Sequence, residues 1–220
     1  MAVQSSSANA SKSGTGKHRY AMLSLVVVGV FAIVVAIAIA ARERIAANER
    51  AWFLARLAAL VPDSLHDNDL YADRAIVRAP GQLGAAASNV YRARREGKPV
   101  AAILTVTARD GYGGPIEMLV AVEFSGKVLG VDILRHNETP GIGDGFAPHR
   151  SSWLRRLLGK SLEDPPADRW TIRQDGGEFE QFTGASVTPR AILKAMRLSL
   201  EYYERHRQAV FDAPNADANP

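Results

Sequence analysis

Between Tyr20 and Ala41 the chain carries no charged residue, and this uninterrupted apolar stretch limits what it can fold into more than any other feature. Wound as an α-helix it would span about 33 Å, enough to cross a hydrocarbon core of roughly 30 Å. It is longer than the apolar core of a signal peptide, about 7–15 residues, and it runs straight into charged, helix-like sequence. It therefore reads as a retained transmembrane anchor. The basic flanks are balanced, with Lys12, Lys17 and Arg19 before the span and Arg42, Arg44 and Arg50 after it, so charge bias does not set the orientation. The Ser-rich residues 1–19 read as a loose tail, and so short a polar tail suits a cytoplasmic N-terminus. Within it, Gly14-Thr15-Gly16-Lys17 lacks the first glycine and the preceding strand of a phosphate loop.

What remains of a chain of 220 residues, 47% hydrophobic, suffices for one compact domain. The absence of cysteine excludes thiolate-held iron–sulfur clusters, disulfides and thiolate zinc sites, so any redox role must come from an organic cofactor. The net charge of +4 is modest and its basic residues are scattered, which does not make a nucleic-acid face.

Ile45 to Leu60 places Trp52, Phe53, Leu57 and Leu60 at helical spacing and stops at Val61-Pro62, which predicts a helix continuing the anchor. The acidic stretch from Asp63 to Asp73, with His66 inside it, reads as a solvated connector and not as a metal cluster. Val100–Ala108, Ile116–Phe124 and Lys127–Arg135 are rich in Val, Ile, Leu and Thr, and Ser125-Gly126 makes a tight turn, so a meander of antiparallel strands is predicted. A short helix is expected over His149–Leu158 with Gly159 as its cap, a short strand over Arg169–Arg173, and a long helix from Pro189 to about Arg207. That last helix repeats Ile192, Met196, Ser199 and Tyr203 on one face, a core stripe. The fold class is α+β: one N-terminal transmembrane helix (20–41), a membrane-proximal helix and domain start (42–95), a single domain with an antiparallel sheet and flanking helices (96–211), and loose tails (1–19 and 212–220).

Three segments carry candidate chemistry. Gly111-Tyr112-Gly113-Gly114-Pro115 lets a backbone approach a ring closely while Tyr112 packs on it, or is an ordinary turn. The polar loop from His136 to Asp144 is long enough to build a site, and its Glu138 either serves that site or pairs with Arg135 or solvent. In Thr183-Gly184-Ala185-Ser186-Val187-Thr188-Pro189, Thr188 stands just before a proline suited to a first helical turn and reads as an N-cap. A threonine beside unpaired amides and the positive end of a helix dipole either caps the helix, holds a phosphate or is esterified to one.

The last segment resembles the flavinylation motif of the FMN-binding domain family, Asp-x-x-Ser/Thr-Gly-Ala-Ser/Thr-x-Thr, with Thr183, Gly184, Ala185, Ser186 and Thr188 matching in place and Glu180 where aspartate is usual. The order of Gly-Tyr-Gly-Gly-Pro-Ile, a strand pair, Glu-Thr-Pro-Gly-Ile-Gly-Asp and this motif is similar to that of G subunits of Rnf-type ion-translocating electron-transport complexes. The C subunits of sodium-pumping NADH:quinone reductases share the plan. The resemblance implies FMN joined covalently through its phosphate to Thr188, with Glu138, Thr139, Tyr112 and Gly113 as flavin contacts. It also implies a flavin transferase for maturation, redox and membrane subunits as partners, and an extracytoplasmic domain at the cell inner membrane. On this expectation the chain is an electron-carrying subunit of a translocase, not a complete enzyme. The alternatives are a flavinylated carrier of another redox chain and a flavin-free anchored scaffold.

Overall fold

The computed structural model describes residues 14–149, 151–182 and 184–216, so Thr183 and both chain ends lie outside the described residues. The chain divides into two compact units, residues 1–53 and 54–220. A helix, α1 (Gly14–Leu60), is long and apolar enough from Met22 onward to cross a membrane, with Leu23, Val27, Phe31 and Ile37 all exposed. It begins ahead of Tyr20, so the phosphate-loop-like fragment is helical and the expected tail is shorter than residues 1–19.

The second unit is built on a five-stranded antiparallel meander: β1 (Arg74–Val77), β2 (Ser88–Arg95), β3 (Lys98–Ala108), β4 (Ile116–Glu123) and β5 (Val128–Arg135), hydrogen-bonded in chain order. A single turn of helix, α2 (Pro80–Leu83), joins β1 to β2. The last three strands fall where the Val, Ile and Leu runs predict them. The expected boundary near residue 95 instead cuts the β2–β3 hairpin, whose register pairs Val90 with Leu104 and Arg92 with Ala102.

β3 and β4 read as almost continuous apolar runs because both faces of the sheet are covered. On one face Val90, Leu104, Val106, Met118 and Val120 pack into a core with α3 (Val187–Asp212), which contributes Ile192, Met196 and Tyr203. Each such side chain, once removed from water, contributes about 1.5–3 kcal/mol. The predicted stripe on α3 is thus core, and its Ser199 is buried with the hydroxyl donating to Met196 O at 2.8 Å. The opposite face buries Ile103, Leu119 and Ala121 together with Leu57, Leu60 and Val61. There Gly130 on β5 leaves room for Leu60, whose Cδ2 would stand 2.7 Å from any β-carbon, and Arg56 forms a salt bridge with Asp132.

Between β5 and α3 runs a long segment in which the expected helix and strand shrink to 3₁₀ turns at Trp153–Leu157, Ala167–Arg169 and Arg173–Asp175. Its regularity is lost to large aromatics that bury one at a time: Trp153, Trp170, Phe179 and Phe182 all enter the α3-side core. Trp170 Nε1 donates to Ser161 O at 3.0 Å, so its burial leaves no unpaired donor.

Arg92 is 2% exposed and ties the far end of α3 to the sheet. Its guanidinium donates to Val210 O (3.2 Å), Phe211 O (3.3 Å) and Ala213 O, and its Nε to Asp73 Oδ1 (2.7 Å). Arg94 completes the cluster, bonding Asp73 Oδ2 at 2.7 Å and Phe211 O at 2.7 Å. These cations meet the orphan carbonyls and negative dipole end that any helix presents at its C-terminus. The following residues are correspondingly ordered, contrary to the loose tail expected from 212 on: Asn215 accepts from Arg92, and Ala216 N donates to Arg74 O at 2.6 Å. Replacing Arg92 with Met takes the donor from Asp73 Oδ1 and from the Val210 and Ala213 carbonyls, while Arg94 keeps Asp73 Oδ2 and Phe211 O. The expected cost is about 3 kcal/mol, checked by urea unfolding in detergent, with faster amide exchange over residues 207–212 as the local signature.

Candidate functional site

Loops at one end of the sheet and the start of α3 enclose a cavity of about 460 Å³. Its lining gathers residues that are far apart in sequence: Tyr112 from the β3–β4 turn, Glu138 and Thr139 from the loop after β5, and Gly184, Ala185, Ser186 and Thr188 from the α3 entrance. Gly113 completes the set from behind, donating its N–H to Glu138 Oε1 at 3.0 Å. Of the expected site residues only Thr183 lies outside the described residues.

Thr188 is not the N-cap. The helix begins two residues earlier, at Val187, with Ser186 as the capping residue, and Ser186 makes no side-chain cap bond; its Oγ accepts from Arg190 Nη1 at 2.9 Å. Pro189 therefore sits at the third helical position, still inside the first turn, where a missing N–H is tolerated. Thr188, fully buried, is free of capping duty and donates its hydroxyl to Glu138 Oε2 at 2.5 Å.

Glu138 is 3% exposed, and the two hydrogen bonds its carboxylate accepts come from neutral groups, the Thr188 hydroxyl and the Gly113 amide. Arg135, considered as its partner, lies 3.8 Å from Glu117 instead. The carboxylate is seated by glycines. A β-carbon at Gly111 would come within 2.8 Å of Glu138 Oε1, one at Gly143 within 2.7 Å of Oε2, and one at Gly113 within 2.0 Å of the Asn137 carbonyl. The backbone N–H of Glu138 donates to His136 Nδ1 at 3.2 Å, and the His136 ring stands edge-on to Phe146 with centroids 4.8 Å apart. His136 thus supports the loop from outside the cavity.

The turn before α3 is presented by buried aromatics. Phe182 packs edge-on against Trp153 (4.9 Å), Trp153 Nε1 donates to Glu180 O at 2.6 Å, and Gly184 adopts φ +81°, a left-handed conformation that favours glycine. Glu180 is bound by Arg156 and by Arg173 (3.1 Å), and the hydrogen bond from Arg156 holds its carboxyl below the usual range. Asp175 is likewise held low by its hydrogen bond from Arg190, which anchors the first turn of α3.

Ile142, Gly143 and Val187 also line the cavity and were not singled out from the sequence. Among the described residues beyond α1, large hydrophobic side chains are exposed at Ile76, Tyr112, Ile142, Leu158 and Val187. Three of these, Tyr112, Ile142 and Val187, rim this one cavity. An open apolar rim over a polar floor at a helix N-terminus fits a ligand with a flat apolar ring and an anionic end. The signal was present in the Gly-Ile-Gly run, where an isoleucine between two glycines has little packing to offer a core. Among the described residues, the Asp63–Asp73 stretch included, no group of three or more His, Cys, Asp or Glu side chains is placed to hold a metal. There Asp69 Oδ1 accepts from the Tyr71 and Ala72 amides.

Comparison with known proteins adds two findings. The family model of the FMN-binding domain matches residues 111–201. The chain is similar to the G subunit of the ion-translocating oxidoreductase complex of Vibrio atlanticus, 37% identical over 173 residues, covering 79% of this chain and 83% of that one. It is similar also to the corresponding G subunits of Shewanella amazonensis, 39% identical with coverages of 80% and 82%, and of Photorhabdus laumondii, 41% identical with coverages of 66% and 69%.

The glycine seat makes a direct prediction. Gly113→Ala forces the Asn137 carbonyl and the Glu138 loop to move, and overpacking of this kind costs about 1–3 kcal/mol. A lowered thermal midpoint is expected, whereas Gly126→Ala, at a turn with open space, is strained only by its positive φ and falls less.

Proposed function

The chain belongs to the family of ion-translocating oxidoreductase complex G subunits, and from that premise we propose that it is the membrane-anchored flavoprotein subunit of such a complex, carrying FMN as a phosphate ester on Thr188. The observation that carries this reading is the cavity: its floor holds the Thr188 hydroxyl at the start of α3, and its rim exposes Tyr112, Ile142 and Val187. The residues present fit the group. The first turn of α3 offers its amides and dipole to a phosphate. The three rim side chains offer an apolar bed for the ring, and the glycine backbone of residues 111–114 lets that ring lie close. Thr139, exposed at the mouth, is placed to bond the polar ribityl chain or ring edge. Bound there, FMN supplies the electron-carrying chemistry that a cysteine-free chain lacks.

The chain's own part is to hold, orient and shield that cofactor while electrons pass from one partner subunit to the next. Ion movement belongs to the assembly. A covalent tether suits a domain on the periplasmic side of the inner membrane, where a freely exchanging cofactor is lost by dilution. The exposed Glu180, Gln181 and Gly184 just ahead of α3 are the surface offered to a flavin transferase. The relatives' shared name favours this complex over a carrier serving another redox chain.

Two outcomes test the proposal. Co-expressed with a flavin transferase, the full chain gains the mass of one FMN moiety and fluoresces as a denatured gel band. Thr188→Ala gains nothing, and Thr188→Ser still loads. Bare polypeptide from the native host overturns the reading. For orientation, Ala86→Cys introduces one exposed thiol into a chain that has none; a membrane-impermeant maleimide added to intact spheroplasts is expected to label it without lysis.

A further inference from the structure

The Thr188 hydroxyl does not stand alone at the cavity floor, and its partner suggests how it is made reactive. An alcohol is a weak nucleophile unless a base takes its proton, and the signature of such a pair is a short hydrogen bond whose base is fixed by a third group. Thr188 Oγ1 donates to Glu138 Oε2 at 2.5 Å. The other oxygen of the same carboxylate is held by the Gly113 amide at 3.0 Å, and Gly111 and Gly143 close around it so tightly that neither tolerates a β-carbon. Glu138 and Thr188 are both buried, so the bond is shielded from water. A carboxylate buried merely to be stable would pair with a cation; here its donors are neutral, and one of them is the hydroxyl to be modified.

Resting on the reading of Thr188 as the flavinylated residue, we infer that Glu138 is the proton acceptor for its esterification, so that the acceptor protein contributes its own base to the transferase reaction. The co-reactant is a flavin adenine dinucleotide. Thr188 Oγ1 forms a bond to the phosphorus nearer the riboflavin, and the anhydride bond between the two phosphorus atoms breaks. Adenosine monophosphate leaves, and the hydroxyl proton moves along the existing hydrogen bond to Glu138 Oε2. No atom changes oxidation state. Taking the proton also removes a like charge from beside the new phosphodiester, which would otherwise face a carboxylate across a buried gap.

The test follows mass gain, not electron transfer. Full-length protein in detergent is incubated with a flavin transferase and flavin adenine dinucleotide, and initial loading rates are read by intact-mass spectrometry. Glu138→Gln keeps the shape and the Gly113 bond but takes no proton; its maximal rate is expected to fall about 100-fold or more, with the KM for the acceptor protein and the melting temperature little changed. Glu138→Ala is expected to be as slow and to be accelerated by added formate, which leaves the wild-type rate unchanged. Loading of Glu138→Gln at the wild-type rate, or a Glu138→Ala protein that formate does not accelerate, overturns the inference while leaving Thr188 as the attachment site. A wild-type chain that takes no flavin overturns both.

Discussion

The hydrogen bond between Thr188 and Glu138 joins two parts of the chain fifty residues apart, and the geometry of the site follows from it. A carboxylate this deeply buried must be satisfied, and its second oxygen can reach a donor only if the β3–β4 turn comes close enough for the Gly113 amide. That approach excludes side chains at Gly111, Gly113 and Gly143. One buried charge thus dictates the glycine pattern of two loops and the position of a helix start.

The same logic operates at the opposite end of α3, where Arg92 and Arg94 gather the last carbonyls of the helix against Asp73. The helix is fixed at its C-terminus by the buried Arg92 with the half-buried Arg94, and at its N-terminus by a buried carboxylate, with an apolar stripe between them. Signs match the dipole at both ends, since the cations meet the C-terminal carbonyls and Glu138 stands near a terminus that ordinarily attracts negative charge to its amides. The carboxylate there meets a side-chain hydroxyl and a loop amide instead, which leaves the helix amides to an anionic ligand.

Much of this was legible in the sequence. The anchor was, from the length of its uncharged apolar run, the last three strands were, from their Val, Ile and Leu runs, and the stripe on α3 was, because burial of one face writes a period into the residues. β2 was not: Ser88-Asn89-Val90-Tyr91-Arg92-Ala93-Arg94-Arg95 looks solvated, and only the distant Asp73 and the end of α3 explain how two of its arginines turn inward. The candidate residues were readable as three separate motifs, and the fold brings the described ones to one cavity. What the motifs did not reveal is how they touch. Thr-Pro suggests a cap, yet the helix starts at Val187 because Ser186 and Arg190 settle the first turn, which releases the hydroxyl toward Glu138. The aromatics of residues 146–182 bury singly along an irregular path, which carries no period to read.

Glu180 sits between Arg156 and Arg173 on the exposed side of the turn that leads into α3. Exposed ion pairs of this kind are worth little and weaken as salt shortens the Debye length, from about 8 Å at 0.15 M to about 3 Å at 1 M. Phe182 and Trp153, packed edge to face beneath the same turn, make an apolar contact that salt does not screen. The turn therefore has two fastenings of unlike character, one electrostatic and one greasy, and rising salt loosens only the first.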